Sequence, residues 1–129
     1  VSVRVVLLSH SAAVARGVAD LAGQMGRTAT VVPVGGTPDG GLGTDADALE
    51  TAVAQALAAG DDVALLVDLG SAVLTAKTVL ADVDEDERVV LVDAPFLEGA
   101  VAAVVTASTG TGLAEVVAQA ELARTLRKT

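Results

Sequence analysis

Four short apolar runs decide what this chain can fold into: VRVVLL (3–8), ATVVPV (29–34), VALLVD (63–68) and RVVLVD (88–93). Each is rich in Val and Leu with almost no polar alternation, the pattern of a strand buried on both faces. Each also meets a turn signal after about six residues, too early for a buried helix. Longer stretches with helical spacing lie between them. Strands alternating with helices predict an α/β fold: an open, mostly parallel sheet of four main strands flanked by helices, with right-handed crossovers. The 129 residues fit a single domain, 1–129.

Helices are predicted over 12–25, 45–58, 71–82, 95–107 and about 113–127. In the first, Val14, Val18, Leu21 and Met25 recur at helical spacing and form the expected core face, with Arg16, Asp20 and Gln24 elsewhere on the cylinder. Asp45 is placed to cap the second, whose inner face carries Leu49, Val53, Ala56 and Leu57. Ser71 stands where the third would be capped, and Pro95 suits the first turn of the fourth. The last ends in Arg124, Arg127 and Lys128, cations that suit a helix C-terminus. The fourth, PFLEGAVAAVVTA, has Glu98 as its only charge. A helix so apolar all round is expected to be covered on more than one side, which points to a homodimer interface.

Composition removes several classes of function. The formal net charge of −9 repels phosphate backbones, and one Phe with no Trp or Tyr leaves nothing for bases to stack on, so nucleic acid is an unsuitable partner. Without cysteine there is no thiol or disulfide chemistry, in keeping with a reducing compartment. The longest uncharged run, between Glu98 and Glu115, is broken by TASTGTG, so no segment is read as spanning a membrane. The start has no basic-then-apolar leader pattern. A cytoplasmic protein is expected. The absence of an initiator Met suggests trimming at the start and leaves room for a longer parent chain.

In open α/β sheets, ligands bind beyond the carboxyl ends of the strands. Those ends hold SHS (9–11), GGTPDGGLGT (35–44), DLGSA (68–72) and DAPFLEG (93–99). One rim therefore gathers the sole histidine, His10, with Asp68, Asp93, several hydroxyls and most of a Gly-rich loop. A lone histidine is most often a surface residue without a role. This one stands at a strand-to-helix turn, where free amides of residues 11–13 favour an anion such as a phosphoryl group. A nucleophilic imidazole needs one bare nitrogen and an acceptor on the other. Asp68 is the best candidate acceptor, with helix capping as its alternative role. Asp93 is read as a cap, given Pro95. In the Gly-rich loop, Thr37 and Thr44 are candidate donors to an anion, against the plain alternative of a flexible connection.

Other chemistries lack their residues. No G-x-x-x-x-G-K-[ST] or G-x-G-x-x-G phosphate loop occurs, and no G-x-S-x-G elbow supports a serine hydrolase. One histidine and no cysteine leave only carboxylates for a metal, and DVDEDE (82–87) reads as a solvated acidic turn. No metal or cofactor is expected. By elimination, His10 is the best nucleophile present.

Taken together, LLSHS, GGTPDGGLGT, DLGSA and DAPFLEGA resemble the DhaM phosphotransfer subunits of phosphoenolpyruvate-dependent dihydroxyacetone kinases. Their relevant domain is similar to the IIA domain of the mannose-type sugar phosphotransferase system. The resemblance covers nearly the whole chain. It implies that His10 is phosphorylated by HPr and passes the group to ADP held in the DhaL subunit, whose partner DhaK binds dihydroxyacetone. Asp68 would match the carboxylate that orients the histidine, with Ser9, Ser11, Gly36, Thr37, Gly70 and Ser71 lining the phosphate or partner site. It also implies a homodimer and, in some members, HPr-like and enzyme-I-like domains on the same chain. Two other readings stay open: a mannose-family carrier serving a membrane sugar transporter, and a non-catalytic α/β ligand-binding module.

Overall fold

All four runs are strands in the computed structural model, which describes residues 1–129. Strands β1 (Val3–Ser9), β2 (Thr30–Gly35), β3 (Asp62–Val67) and β4 (Val89–Leu91) form one parallel sheet in the order β2-β1-β3-β4. Helices α1 (Ala12–Met25), α4 (Phe96–Ser108) and α5 (Leu113–Leu122) cover one face; α2 (Ala46–Ala58) and α3 (Gly70–Leu80) cover the other. The central strand shows why polar alternation is missing. Val3, Val5 and Leu7 enter the core under α1, α4 and α5, while Val6 and Leu8 enter the core under α2 and α3.

The connections decide where a site can form. The chain leaves β1 through α1 toward one edge and leaves β3 through α3 toward the other, on opposite faces. The ends of β1 and β3 therefore flank the switch point of the sheet, where a crevice opens. His10 follows β1 and Asp68 follows β3.

Three elements depart from expectation. On α1 the buried residues are Ala15, Ala19 and Ala22, with Val18 partly buried against them. Val14, Leu21 and Met25 remain 46%, 48% and 58% exposed. The helix lies too close to its neighbours for large side chains: a Cβ on Gly26 would sit 2.7 Å from the Val104 carbonyl oxygen. The fourth strand is shorter than its apolar run, because Asp86–Arg88 forms a 3₁₀ turn that feeds the Arg88 guanidinium to Asp62 at 3.2 Å. Val92 N–H still donates to Leu65 O at 2.8 Å. The last helix ends at Leu122 rather than near 127, and a 3₁₀ turn, Ala123–Thr125, follows. Of its cations, Arg124 pairs with Asp93 at 3.2 Å and Lys128 with Glu98 at 2.5 Å.

The apolar α4 packs against the sheet, α1 and α5 of its own chain. Gly99 permits that fit, since a Cβ there would meet Ala94 Cβ at 2.8 Å. Leu97 and Val105 stay 43% and 37% exposed. No helix is long and apolar enough to cross a membrane.

Candidate functional site

The register of β1 against β3 pairs Leu8 with Val67, so the next residues, Ser9 and Asp68, emerge side by side at the rim. The Asp68 carboxylate accepts four hydrogen bonds. Oδ2 takes the Ser9 hydroxyl at 2.8 Å and His10 N–H at 2.9 Å. Oδ1 takes His10 Nδ1 at 3.0 Å and Leu69 N–H at 2.7 Å. Burial alone pushes this carboxyl up; the His10 amide and ring, the Ser9 hydroxyl and the Leu69 amide outweigh it and hold the group below its ordinary 3.8. It is thus a carboxylate at neutral pH, able only to accept.

That fixes the ring. An acceptor facing Nδ1 requires the proton there, which in the neutral ring leaves the lone pair on Nε2. Nε2 lies 2.7 Å from Ser71 Oγ, whose hydroxyl can donate to it. The His10 and Asp68 side chains are 25% and 15% exposed, a partly sunken pair with an open outer edge. Asp68, His10 and Ser71 form one chain of hydrogen bonds.

Two helix N-termini converge on this ring. Ser11 caps α1, its hydroxyl accepting from Val14 N–H at 3.2 Å, and Ser11 N–H donates to the buried Ser9 Oγ at 3.0 Å. Of the three amides expected to be free, Ala12 and Ala13 remain without a partner in the chain. Helix α3 has no side-chain cap: it starts at Gly70, with Leu69 as N-cap, so its first amides are also free. Ser71 is therefore not a cap but a first-turn residue whose hydroxyl serves His10. Nor does Asp68 cap α3. Asp93 does not cap α4 either; its carboxylate is 88% exposed and pairs with Arg124.

The Gly-rich loop packs onto the β1–α1 junction rather than flapping free. Gly36 is buried at φ +76°, and a Cβ there would lie 3.3 Å from Ala12 N. Gly43 N–H donates to His10 O at 2.8 Å. Thr37 turns inward on its own loop, taking Gly41 N–H at 2.9 Å and donating to Asp39, so it does not reach the ring. The Thr37 hydroxyl, with Gly41 N–H, holds the Asp39 carboxyl below its usual range. Thr44 Oγ1 lies 2.6 Å from Thr75 Oγ1, tying the loop to α3. Sequence reasoning missed Gly43 and Thr75. Thr75 sits four residues after Ser71 and so shares its helix face, a spacing that could have flagged it. No group of three or more His, Asp or Glu side chains is arranged to hold a metal.

Such a rim, with an oriented imidazole between free helix amides, suits handling of a phosphoryl group. The family described as EIIA-man, PTS system fructose IIA component, matches residues 4–117, a span holding every residue of the site. The chain belongs to the EIIA-man family.

Curated relatives place this EIIA-man chain on the DhaM branch. It is 35% identical over 106 residues to the phosphoryl donor subunit DhaM of dihydroxyacetone kinase 2 from Listeria innocua, covering 80% of this chain and 84% of that protein. A second Listeria innocua DhaM is 40% identical over 98 residues, 76% of each chain. The DhaM of Providencia stuartii is 36% identical over 124 residues, but these make up 92% of this chain and only 26% of that longer protein. Among solved structures, EF1359, a protein of unknown function, superposes with a TM-score of 0.85 at 31% identity over 94% of both chains.

Proposed function

We propose that this chain is a phosphohistidine carrier in which His10 Nε2 receives a phosphoryl group from HPr and passes it to ADP bound in a DhaL subunit. DhaK, partner of DhaL, would hold the dihydroxyacetone that is finally phosphorylated. The observation that carries the reading is the Asp68–His10–Ser71 chain, which protonates Nδ1 and leaves Nε2 with its lone pair at the rim.

Each transfer then balances simply. The Nε2 lone pair attacks phosphorus, the N–P bond of the donor histidine breaks, and its electron pair returns to the donor ring. In the second step a β-phosphate oxygen of ADP attacks phosphorus, the His10 N–P bond breaks, and ATP forms while Nε2 regains its pair. Asp68 keeps the Nδ1 proton and stabilises the positive charge that develops on the ring. Ser71 must swing its hydroxyl off Nε2, and can then donate to a phosphoryl oxygen. The amides of Ala12, Ala13, Gly70 and Ser71 supply further donors where about −1.5 to −2 charges accumulate.

The DhaM names of the relatives favour this acceptor over a sugar transporter. A cytoplasmic location and a homodimer belong to the same proposal, Leu97 and Val105 being the apolar side chains that α4 leaves open. The test is reconstitution. Phosphoenolpyruvate, enzyme I and HPr should label wild-type chain but not His10→Ala, and adding DhaK and DhaL should yield dihydroxyacetone phosphate. A folded, unlabelled wild-type chain would refute the proposal.

A further inference from the structure

The hydrogen-bonded chain at the rim has a second chemical capacity that no motif in the sequence predicts. Ser71 Oγ lies 2.7 Å from His10 Nε2, and Nδ1 on the other side of the ring lies 3.0 Å from Asp68 Oδ1. Ser71 is exposed, whereas the His10 and Asp68 side chains behind it are 25% and 15% exposed. With Nδ1 protonated, Nε2 is the acceptor, so the Ser71 hydroxyl donates and its oxygen keeps its lone pairs for an incoming group. Ser71 stands where the chain turns from β3 into α3, and the Gly70 and Ser71 amides have no partner in the chain. The approach is open at Gly70, where a Cβ would meet nothing within 4 Å.

The geometry points to a second activity: hydrolysis of small neutral carboxylic esters, with Ser71 as nucleophile, His10 as general base and Asp68 orienting the ring. These are the roles of a serine–histidine–aspartate triad, reached here without the G-x-S-x-G sequence. Ser71 Oγ attacks the ester carbonyl carbon while its proton passes to Nε2. The Gly70 and Ser71 amides, at the positive end of α3, are donors for the oxyanion. The bond from carbon to the alcohol oxygen then breaks, the leaving alkoxide takes the proton from Nε2, and Ser71 holds the acyl group. Water attacks that acyl carbon and gives a proton to Nε2; the acid departs as Ser71 Oγ recovers the proton. Segments 9–15, 35–47 and 68–76, which build the rim, contain no Lys or Arg to pair with a charged ester. Leu69 and Leu74, 59% and 69% exposed, flank Ser71 in the chain and suit an apolar acyl group. The activity needs only the free ring and is independent of the carrier reading. A phosphoryl group on Nε2 would remove the base, so the two activities exclude each other.

The experiment applies two probes to the unphosphorylated chain. An alkyl fluorophosphonate should bond through phosphorus to Ser71 Oγ with release of fluoride, an adduct located by peptide mass spectrometry. p-Nitrophenyl butyrate should be hydrolysed. His10→Ala should slow formation of the Ser71 adduct about 100-fold, the smaller end of what a positioned base contributes. Ser71→Ala, at an exposed position that circular dichroism should show folded, should form no adduct there and hydrolyse the butyrate about 100-fold more slowly. Ser2→Ala, an exposed serine at the far end of β1, should behave as wild type with both probes. A folded wild type without the Ser71 adduct overturns the inference, as does a Ser71 adduct that forms undiminished in His10→Ala. Butyrate turnover unchanged in Ser71→Ala overturns it too, because the ring alone would then be the reacting group.

Discussion

Replacing Asp68 by Asn changes one atom type at the centre of the site, and its consequence can be worked from the contacts. The carboxylate has two accepting oxygens, the amide only one. Oδ2 serves the His10 backbone N–H and the buried Ser9 hydroxyl, whose own oxygen is engaged by Ser11 N–H. An Asn oxygen is best used there, because the His10 amide is part-buried, whereas the Leu69 N–H that Oδ1 accepts lies at an exposed contact and can turn to water. The Asn NH2 then faces Nδ1 and demands a lone pair from it, driving the ring proton to Nε2. Recovering the productive tautomer forfeits that hydrogen bond and leaves a donor facing a donor, about 2–4 kcal/mol in all. Phosphoryl transfer should therefore slow about 30- to 1,000-fold. Rapid-quench transfer from labelled phospho-HPr measures this, and nitrogen chemical shifts of the unphosphorylated ring report the tautomer. A rate within about threefold of wild type, or a proton still on Nδ1, would refute the reasoning.

Other outcomes follow from the same contacts. Ser71→Ala should leave His10 as the labelled residue but slow transfer about tenfold, a loss of one donor to the phosphoryl oxygens, read in the same assay. Because the Asp68 carboxyl is held below 3.8 in the folded chain, its contribution to stability is present above that value and is lost as pH falls through the lower folded-state value. The stability gap between wild type and Asp68→Asn in urea melts should accordingly stay constant from pH 7 to about 4 and narrow only at more acidic pH. Gly35→Ala would place a Cβ 2.6 Å from Ser11 O, so α1 must shift; both melting temperature and transfer rate should drop. Leu65→Ala, at a fully buried position that makes no contact in the hydrogen-bonded site, should cost about 2–5 kcal/mol in denaturant unfolding yet keep labelling at low temperature.

Much of this fold could be read from the chain because a two-faced parallel sheet forces a distinctive pattern. Residues 5–8 are apolar on both faces, and only a central strand needs that. The Asp45 cap was equally legible, since its chemistry is local: its side chain takes Ala48 N–H at 3.1 Å. What misled was packing distance. Periodicity chose Val14, Leu21 and Met25 as the inner face of α1, whereas the buried face carries Ala15, Ala19 and Ala22, with Gly35 packed so close to Ala15 that a Cβ there would lie 3.1 Å from the alanine's own. No one-dimensional pattern carries an interhelical spacing.

At the rim, the pairing of His10 with Asp68 was legible because both follow adjacent buried strands, and the switch-point rule brings such ends together. The role of Ser71 was not. A serine near a helix start reads as a cap, and a one-residue earlier start at Gly70 turns it into the partner of Nε2. Thr37 failed in the opposite way: its loop closes on itself and consumes the hydroxyl locally. Such outcomes depend on turn geometry that composition does not encode.

The central claim is atomic, and nitrogen NMR of histidine-labelled protein tests it most directly. After phosphorylation by phospho-HPr, the spectrum should show phosphorus bonded to Nε2 of His10 with a proton retained on Nδ1. Phosphorus on Nδ1, or an unmodified ring in a chain that still carries label, would contradict the account.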